Sequence, residues 1–395
     1  MTELKKKHYV YLHQKLLDDD VIFKAYKRMR KGKTRRTEIR MIDANYETEA
    51  AMMKKMIRWT IPNSPHPELM YTPPKKRKIT IRFEHGKKRK TYTPEIHEQW
   101  LHHIIMQVLE PILMRRMYKY SCGSIPKRGA HYGKKVLRKA INRKAYTKYY
   151  VKLDIRHFYN NLSPAYILDE LSEEIDDEWF LFVIERCFLG FKNFVPLGFY
   201  ISQWFANYVL TPIDNLIVNS KVARTFIRYV DDMLLMGNSK RGLKFVVRRV
   251  NYALHLIGLK LKLNYCIHRF TDKNPIDFLG FLFYRNKTLM RKRTMIKASR
   301  LARVIFSKRY QNKKVYMKHI KGFLSLMGWF KYTNSYVCYL NHIKPYVNIG
   351  ALKAAISNHD RKRRLDLHER MERRASCEIS GRIREDKRNI FYAAA

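Results

Sequence analysis

Acidic residues are what this chain most lacks. Of 395 residues, 34 are Asp or Glu against 81 Lys or Arg, a formal net charge of +47. Self-repulsion on that scale needs a polyanion to relieve it, and a nucleic acid, whose phosphates shed counterions to Lys and Arg, fits best. The shortage is sharpest from Phe278 to His359, where 82 residues hold no acid and 17 Lys or Arg. A ribonuclease H centre needs clustered carboxylates for its metal ions, so this stretch cannot supply one. Long apolar runs are missing too. No stretch approaches the ~18 residues of a membrane-spanning helix, and no charged-then-apolar signal opens the chain, which predicts a cytoplasmic protein without membrane attachment. Cysteine is scarce: Cys122, Cys187, Cys266, Cys338 and Cys377 stand far apart with no Cys-x-x-Cys pair. That argues against a structural zinc site and predicts reduced thiols used in packing. There is no GxxxxGK[ST] phosphate loop, no histidine-rich metal-finger pattern and no internal repeat.

The few acids present are placed informatively. In Phe226-Ile227-Arg228-Tyr229-Val230-Asp231-Asp232-Met233-Leu234-Leu235-Met236-Gly237, two strand-forming apolar runs flank adjacent carboxylates, which predicts a hairpin with both acids at its turn. An isolated Asp-Asp is ordinarily a surface turn. A third acid changes the reading: Asp154 ends the strand-like run Tyr149-Tyr150-Val151-Lys152-Leu153. Carboxylates ending two strands, in a chain suited to nucleic acid, are what phosphoryl transfer by two Mg²⁺ ions about 3.5–4 Å apart requires.

These segments resemble the reverse transcriptases. The Asp154 segment is similar to their motif A, Tyr229-Val230-Asp231-Asp232 to the YxDD box of motif C, and Pro196-Leu197-Gly198-Phe199-Tyr200-Ile201-Ser202-Gln203 to the GxxxSQ form of motif B, in the right order. The resemblance extends over roughly residues 20–345. It implies an α+β right-hand polymerase: N-terminal helices and fingers over 1–143, a palm with an antiparallel sheet over 144–288 that includes helices at 164–192, a helical thumb over 289–358, and a charged tail over 359–395. It implies that Asp154, Asp231 and Asp232 hold two Mg²⁺ ions, with Mn²⁺ able to substitute, and that Asp154 and Asp231 are the more direct ligands. Tyr159, five residues past Asp154, matches the aromatic gate that excludes ribonucleotides; core packing beside Phe158 is the ordinary alternative. Gln203 would contact the template or the incoming nucleotide. Lys262, in Gly258-Leu259-Lys260-Leu261-Lys262, would protonate or neutralise the pyrophosphate in the manner of motif D.

Elsewhere the residues speak with less definition. Residues 1–62 show helical spacing and predict two or three helices joined by the basic connector Lys31–Arg36, whose ordinary role is a solvated face. Lys78–Phe83 and Lys87–Tyr92 predict a basic hairpin turning near Gly86, and the resemblance makes Arg89, with Lys78 behind it, a triphosphate ligand. A helix follows from Glu98, with Pro111 near its end; its adjacent His102 and His103 face different sides, which argues against a metal pair. The loop Ser121–Lys135 combines glycines with Lys127, Arg128 and His131, residues suited to a template backbone. Phe278-Leu279-Gly280-Phe281 is similar to the hairpin that grips a primer end, with Gly280 at its turn. The expected partners are deoxynucleotides, a structured noncoding RNA template and its cDNA, with room for an accessory protein or a homo-oligomer. The Ser202-Gln203 form is similar to defence-associated and diversity-generating bacterial enzymes, and antiviral defence is the reading taken here. The rivals are mutagenic cDNA synthesis in a diversity-generating retroelement, an idle RNA-binding or maturase-like scaffold, and an RNA-directed RNA polymerase.

Overall fold

A computed structural model describes residues 8–75, 77–84, 87–311, 315–363, 365, 366 and 369. The chain divides into two compact units, 1–274 and 275–395.

The first unit opens with four helices, Leu12–Leu16, Asp19–Arg30, Thr37–Ala44 and Tyr46–Trp59. The sequence predicts two or three; the extra break comes at Asp18, whose side chain accepts from the Asp20 N–H and starts a new helix. Strands β1 (Lys78–Glu84) and β2 (Lys87–Thr93) form the expected antiparallel hairpin, with Arg82 opposite Arg89. Its turn at Gly86 lies outside the described residues. Ile79, Ile81 and Phe83 are exposed, so this hairpin covers no core. It is held at its base: Arg77 pairs at 2.8 Å with buried Glu98, and the Tyr92 N–H donates to the Leu197 carbonyl at 2.8 Å.

The helix Ile96–Arg116 continues past Pro111, which the sequence places near its end. The proline removes one backbone bond, while buried Ile112 and Leu113 keep the following turn packed. Strands β3 (Ser121–Cys122), β4 (Tyr149–Asp154), β5 (Thr225–Tyr229), β6 (Asp232–Gly237) and β7 (Ile267–Arg269) make one sheet in the order β3-β5-β6-β4-β7. It is antiparallel apart from β3, which pairs parallel with β5. At two residues, β3 is too short to show a period, and the sequence reads it as loop. The inner strand β6 is buried from Met233 to Gly237, with the helix Lys240–Leu256 among its neighbours. Only its first residue, Asp232, is exposed.

In the second unit, β8 (Ile276–Phe278), β9 (Phe281–Phe283) and β10 (Thr288–Met290) form a small antiparallel sheet. The helices Lys292–Tyr310, Met317–Lys331 and Tyr336–His342 follow, and residues 349–363 are helical. A separate apolar core forms around Ile305, Ile320, Phe323 and Ile343. The tail expected over 359–395 lies outside the described residues beyond residue 369. Cys122 and Cys187 are buried as expected, whereas Cys266 and Cys338 are exposed; Cys377 lies outside the described residues.

Candidate active site

The hairpin places the acids by register. Tyr229 of β5 is paired with Asp232 of β6, which leaves Val230 and Asp231 as a two-residue turn. On the other side of β6, Asp232 is paired with Asp154, the last residue of β4. The Ile155 N–H donates to the Asp231 carbonyl at 3.4 Å. Three carboxylates from two strand ends therefore meet at one edge.

Their electrostatics are unbalanced. Asp231 is raised above the usual carboxylate range, first by burial and then by repulsion from Asp154, with Lys262 and Arg89 opposing. Asp232, more open to solvent, is raised to about 6 by the desolvation of its crowded setting and by Asp231 and Asp154. The ammonium of Lys262 pairs with Asp154 Oδ1, and the Lys262 N–H donates to the Asp154 carbonyl at 2.8 Å. Lys260 instead lends its carbonyl to the Arg156 N–H at 2.8 Å, so of the two lysines it is Lys262 that reaches the acids.

Among the described residues no three Asp, Glu, His or Cys side chains form a ready metal cage. The donor set nevertheless fits hard divalent cations. Carboxylate oxygen is their preferred ligand, the acids repel one another, and a lysine ammonium already stands against Asp154 Oδ1 where a cation's charge would sit.

Tyr159 is half-buried, while its neighbour Phe158 is the core residue at 3% exposure. The Tyr159 hydroxyl is raised by burial and by the charge of Asp231, and lowered by Arg89, which puts all three groups in one electrostatic neighbourhood. Arg89 and Gln203 line a single cleft of about 470 Å³ together with Arg82, Lys33 and Arg36, and no acid lines it. Lys78 is exposed at the far end of β1 and does not line the cleft. Lys33 and Arg36 belong to the connector that the sequence reads as a solvated face. Lys33 is lowered by burial and by Arg36, and its ammonium donates to Gln99 Oε1 at 2.6 Å. Concentrated positive charge on one short loop was the available signal.

The loop candidates are partly structural. Arg128 donates to the Tyr118 carbonyl at 3.3 Å, and its own carbonyl accepts from the Gly123 N–H at 2.8 Å, while Lys127 and His131 are exposed. In the second unit, Leu279 and Gly280 both have positive φ, 54° and 86°, the geometry of a tight hairpin turn. A Cβ on Gly280 would stand 2.5 Å from the ring of Trp329, so close packing explains this glycine. His102 and His103 are buried against Phe199 and Tyr200, at ring distances of 4.8 and 4.0 Å, and burial lowers each to about 3. No helix among the described residues is long and apolar enough to cross a membrane.

Comparison with known proteins meets this geometry. The family described as reverse transcriptase (RNA-dependent DNA polymerase) matches residues 30–283. The Retron Ec73 reverse transcriptase of Escherichia coli is 27% identical over 131 residues, 30% of this chain and 41% of that protein. The alignment thus covers less than half of the relative. Among solved structures, telomerase from Candida albicans in complex with a TWJ fragment of telomeric RNA has a TM-score of 0.44 at 13% identity, over 68% of this chain and 55% of its own. Apo telomerase from Candida tropicalis has a TM-score of 0.42 at 12% identity, over 64% and 54%. The family match takes in most of the chain, from the end of the second helix through the sheet and both acid-bearing strand ends, and on that match the chain belongs to the reverse transcriptase (RNA-dependent DNA polymerase) family.

Proposed function

We propose that this chain is an RNA-directed DNA polymerase that extends a primer by phosphoryl transfer, with Asp154, Asp231 and Asp232 holding two Mg²⁺ ions. The observation that carries the reading is the meeting of three carboxylates at one sheet edge with a single lysine paired to them, and Arg89 in the field of Asp231 while lining an acid-free cleft. Bound there, divalent cations would acidify the primer 3′-hydroxyl and stabilise the leaving pyrophosphate.

The chain's own residues do the rest by positioning and charge. Arg89, with Arg82 opposite it, binds the triphosphate, and Lys33 and Arg36 extend the same cationic wall to further phosphates. The ring of Tyr159 rejects a 2′-hydroxyl. Gln203 contacts the nascent pair from the helix Tyr200–Tyr208. Lys262, paired with Asp154 in this structure, would offer its ammonium to the pyrophosphate. Lys127, Arg128 and His131 lie along the template, and the turn at Gly280 along the primer. Family membership supports the polymerase chemistry, and likeness to a retron reverse transcriptase supports RNA as the template. A structured noncoding RNA copied in antiviral defence is the biological role we take from the Ser202-Gln203 form of motif B.

Asp231→Asn tests the core of this reading. Templated DNA synthesis should fall roughly 10³-fold while RNA stays bound, because one ligand is lost and the cationic surfaces are untouched. Sequencing the nucleic acid that co-purifies with each form names the template. Undiminished synthesis by Asp231→Asn overturns the metal-site assignment, and RNA without any Asp231-dependent DNA makes the chain an RNA-binding scaffold.

A further inference from the structure

Behind the Tyr229–Asp232 turn lies a buried network that the proposed chemistry does not use. Arg228 and Asp214 are both fully buried, at 0% side-chain exposure. Nε and Nη2 of Arg228 donate to the two carboxylate oxygens of Asp214 at 2.8 and 2.6 Å. Nη1 donates to Asn207 Oδ1 at 3.0 Å and to the Val230 carbonyl at 3.1 Å, and Nη2 also donates to the Asn207 carbonyl at 3.0 Å. The guanidinium thereby uses its whole set of donors. Asn207 is fixed in turn, donating from Nδ2 to the carbonyls of Gly123 and Gln203 at 3.1 and 2.9 Å and accepting from Ser121 Oγ at 3.2 Å.

The network ends on a strained residue. Val230 is β-branched and has φ +57°, in the left-handed region such residues avoid. Strain of this kind persists only where the surroundings over-determine it. Here two bonds do so: the Val230 N–H donates to the Cys122 carbonyl at 3.1 Å, and the Val230 carbonyl accepts from Arg228. Gly123 (φ +86°) makes room for the turn, since a Cβ there would come within 3.0 Å of Val230 Cγ2. The residue after that carbonyl is Asp231, so the guanidinium fixes the orientation of the peptide that carries the carboxylate.

We infer that Arg228 is a positioning residue for the cation site, holding the Val230–Asp231 peptide in its left-handed turn, while Asp214 and Asn207 hold Arg228. Its kinetic consequence rests on the polymerase reading above; its consequence for cation binding rests only on the three acids. A lysine could keep the charge beside Asp214 but lacks the planar fork that reaches Asp214 and Val230 together. A buried ion pair kept for stability alone can be exchanged for apolar residues of similar volume without loss of fold.

Two variants separate these roles: Arg228→Lys, and the double replacement Arg228→Met with Asp214→Leu. Each is checked for a cooperative melt, then titrated with Mn²⁺ by electron paramagnetic resonance, and assayed for primer extension. In folded variants the Mn²⁺ Kd should rise about tenfold and kcat fall about tenfold, with KM for deoxynucleotide changed by less than about twofold. A folded variant, the apolar pair above all, that keeps wild-type Mn²⁺ affinity and kcat overturns the inference and leaves Arg228 a structural residue. If the wild-type protein makes no DNA, the polymerase reading fails and the Mn²⁺ titration alone decides the role of Arg228.

Discussion

Two sets of charges meet at the end of β5, and they are balanced in opposite ways. Arg228 and Asp214 lie wholly inside the protein, yet each guanidinium donor has an acceptor and both carboxylate oxygens are used. Asp154, Asp231 and Asp232 are closer to solvent and yet worse off: desolvation, and then repulsion from Asp231 and Asp154, raise Asp232 to about 6 against the opposing charge of Lys262, and Arg89 opposes only the rise of Asp231. Burial alone therefore does not mark function in this chain. Buried polar groups are ordinarily paired, and a cluster left short of counter-charge shows where a ligand's charge belongs. The cleft of Lys33, Arg36, Arg82 and Arg89 is the mirror case, cations without acids, suited to phosphate.

The largest test of the contrast on the unbalanced side is Tyr159→Ala. The hydroxyl lies in the field of Asp231 and Arg89, and its ring packs on the core without being enclosed by it. Removing the ring should reduce discrimination against ribonucleotides roughly hundredfold, read as the ratio of kcat/KM for a deoxynucleotide and its ribonucleotide. Unchanged discrimination would assign Tyr159 to packing, beside Phe158.

The unbalanced set was legible in the sequence for the reason that makes it functional. Acids are so rare in this chain that Asp154, Asp231 and Asp232 at strand ends stand out, and their pairing follows from the alternation of β4 and β6. The balanced set was not legible. Arg228 and Asp214 are 14 residues apart, on a strand and on the helix Thr211–Asn219, and only the fold brings them together. Asn207 hides in the same way within motif B. Lys33 and Arg36 were visible as charge but not as cleft wall, because a basic connector looks the same against solvent as against β2 and the helix Ile96–Arg116.

Gly280→Ala probes the packed side of the comparison. The sequence reads this glycine as a primer contact, while the structure explains it by φ +86° and the ring of Trp329 at 2.5 Å from a notional Cβ. Alanine should destabilise the fold by about 2–3 kcal/mol in urea unfolding, through strain and a displaced indole. Trp329→Ala would open the space and relieve part of that cost, so the two changes should be less than additive. Full stability of Gly280→Ala would return the residue to a purely functional role.

His102 threatens the rule itself, since it is fully buried with neither ring nitrogen hydrogen-bonded and touches no proposed chemistry. Its answer is neutrality. Burial lowers it from 6.5 to about 3, so the folded protein holds it uncharged and has no counter-charge to seek. The sign of the pH effect follows. A depressed folded pKa leaves stability intact above 6.5; as pH falls toward 3 the unfolded chain gains a proton that the fold refuses. Stability should then drop by about 1.4 kcal/mol per pH unit for this histidine. His102→Phe keeps an aromatic ring against Phe199 and removes the titration. Its urea-unfolding free energy, followed from pH 6.5 to 5, should fall less steeply than the wild type's by that amount. Equal slopes would mean that His102 takes up its proton inside the fold, which would require an acceptor there and make it a second under-satisfied site rather than a neutral one.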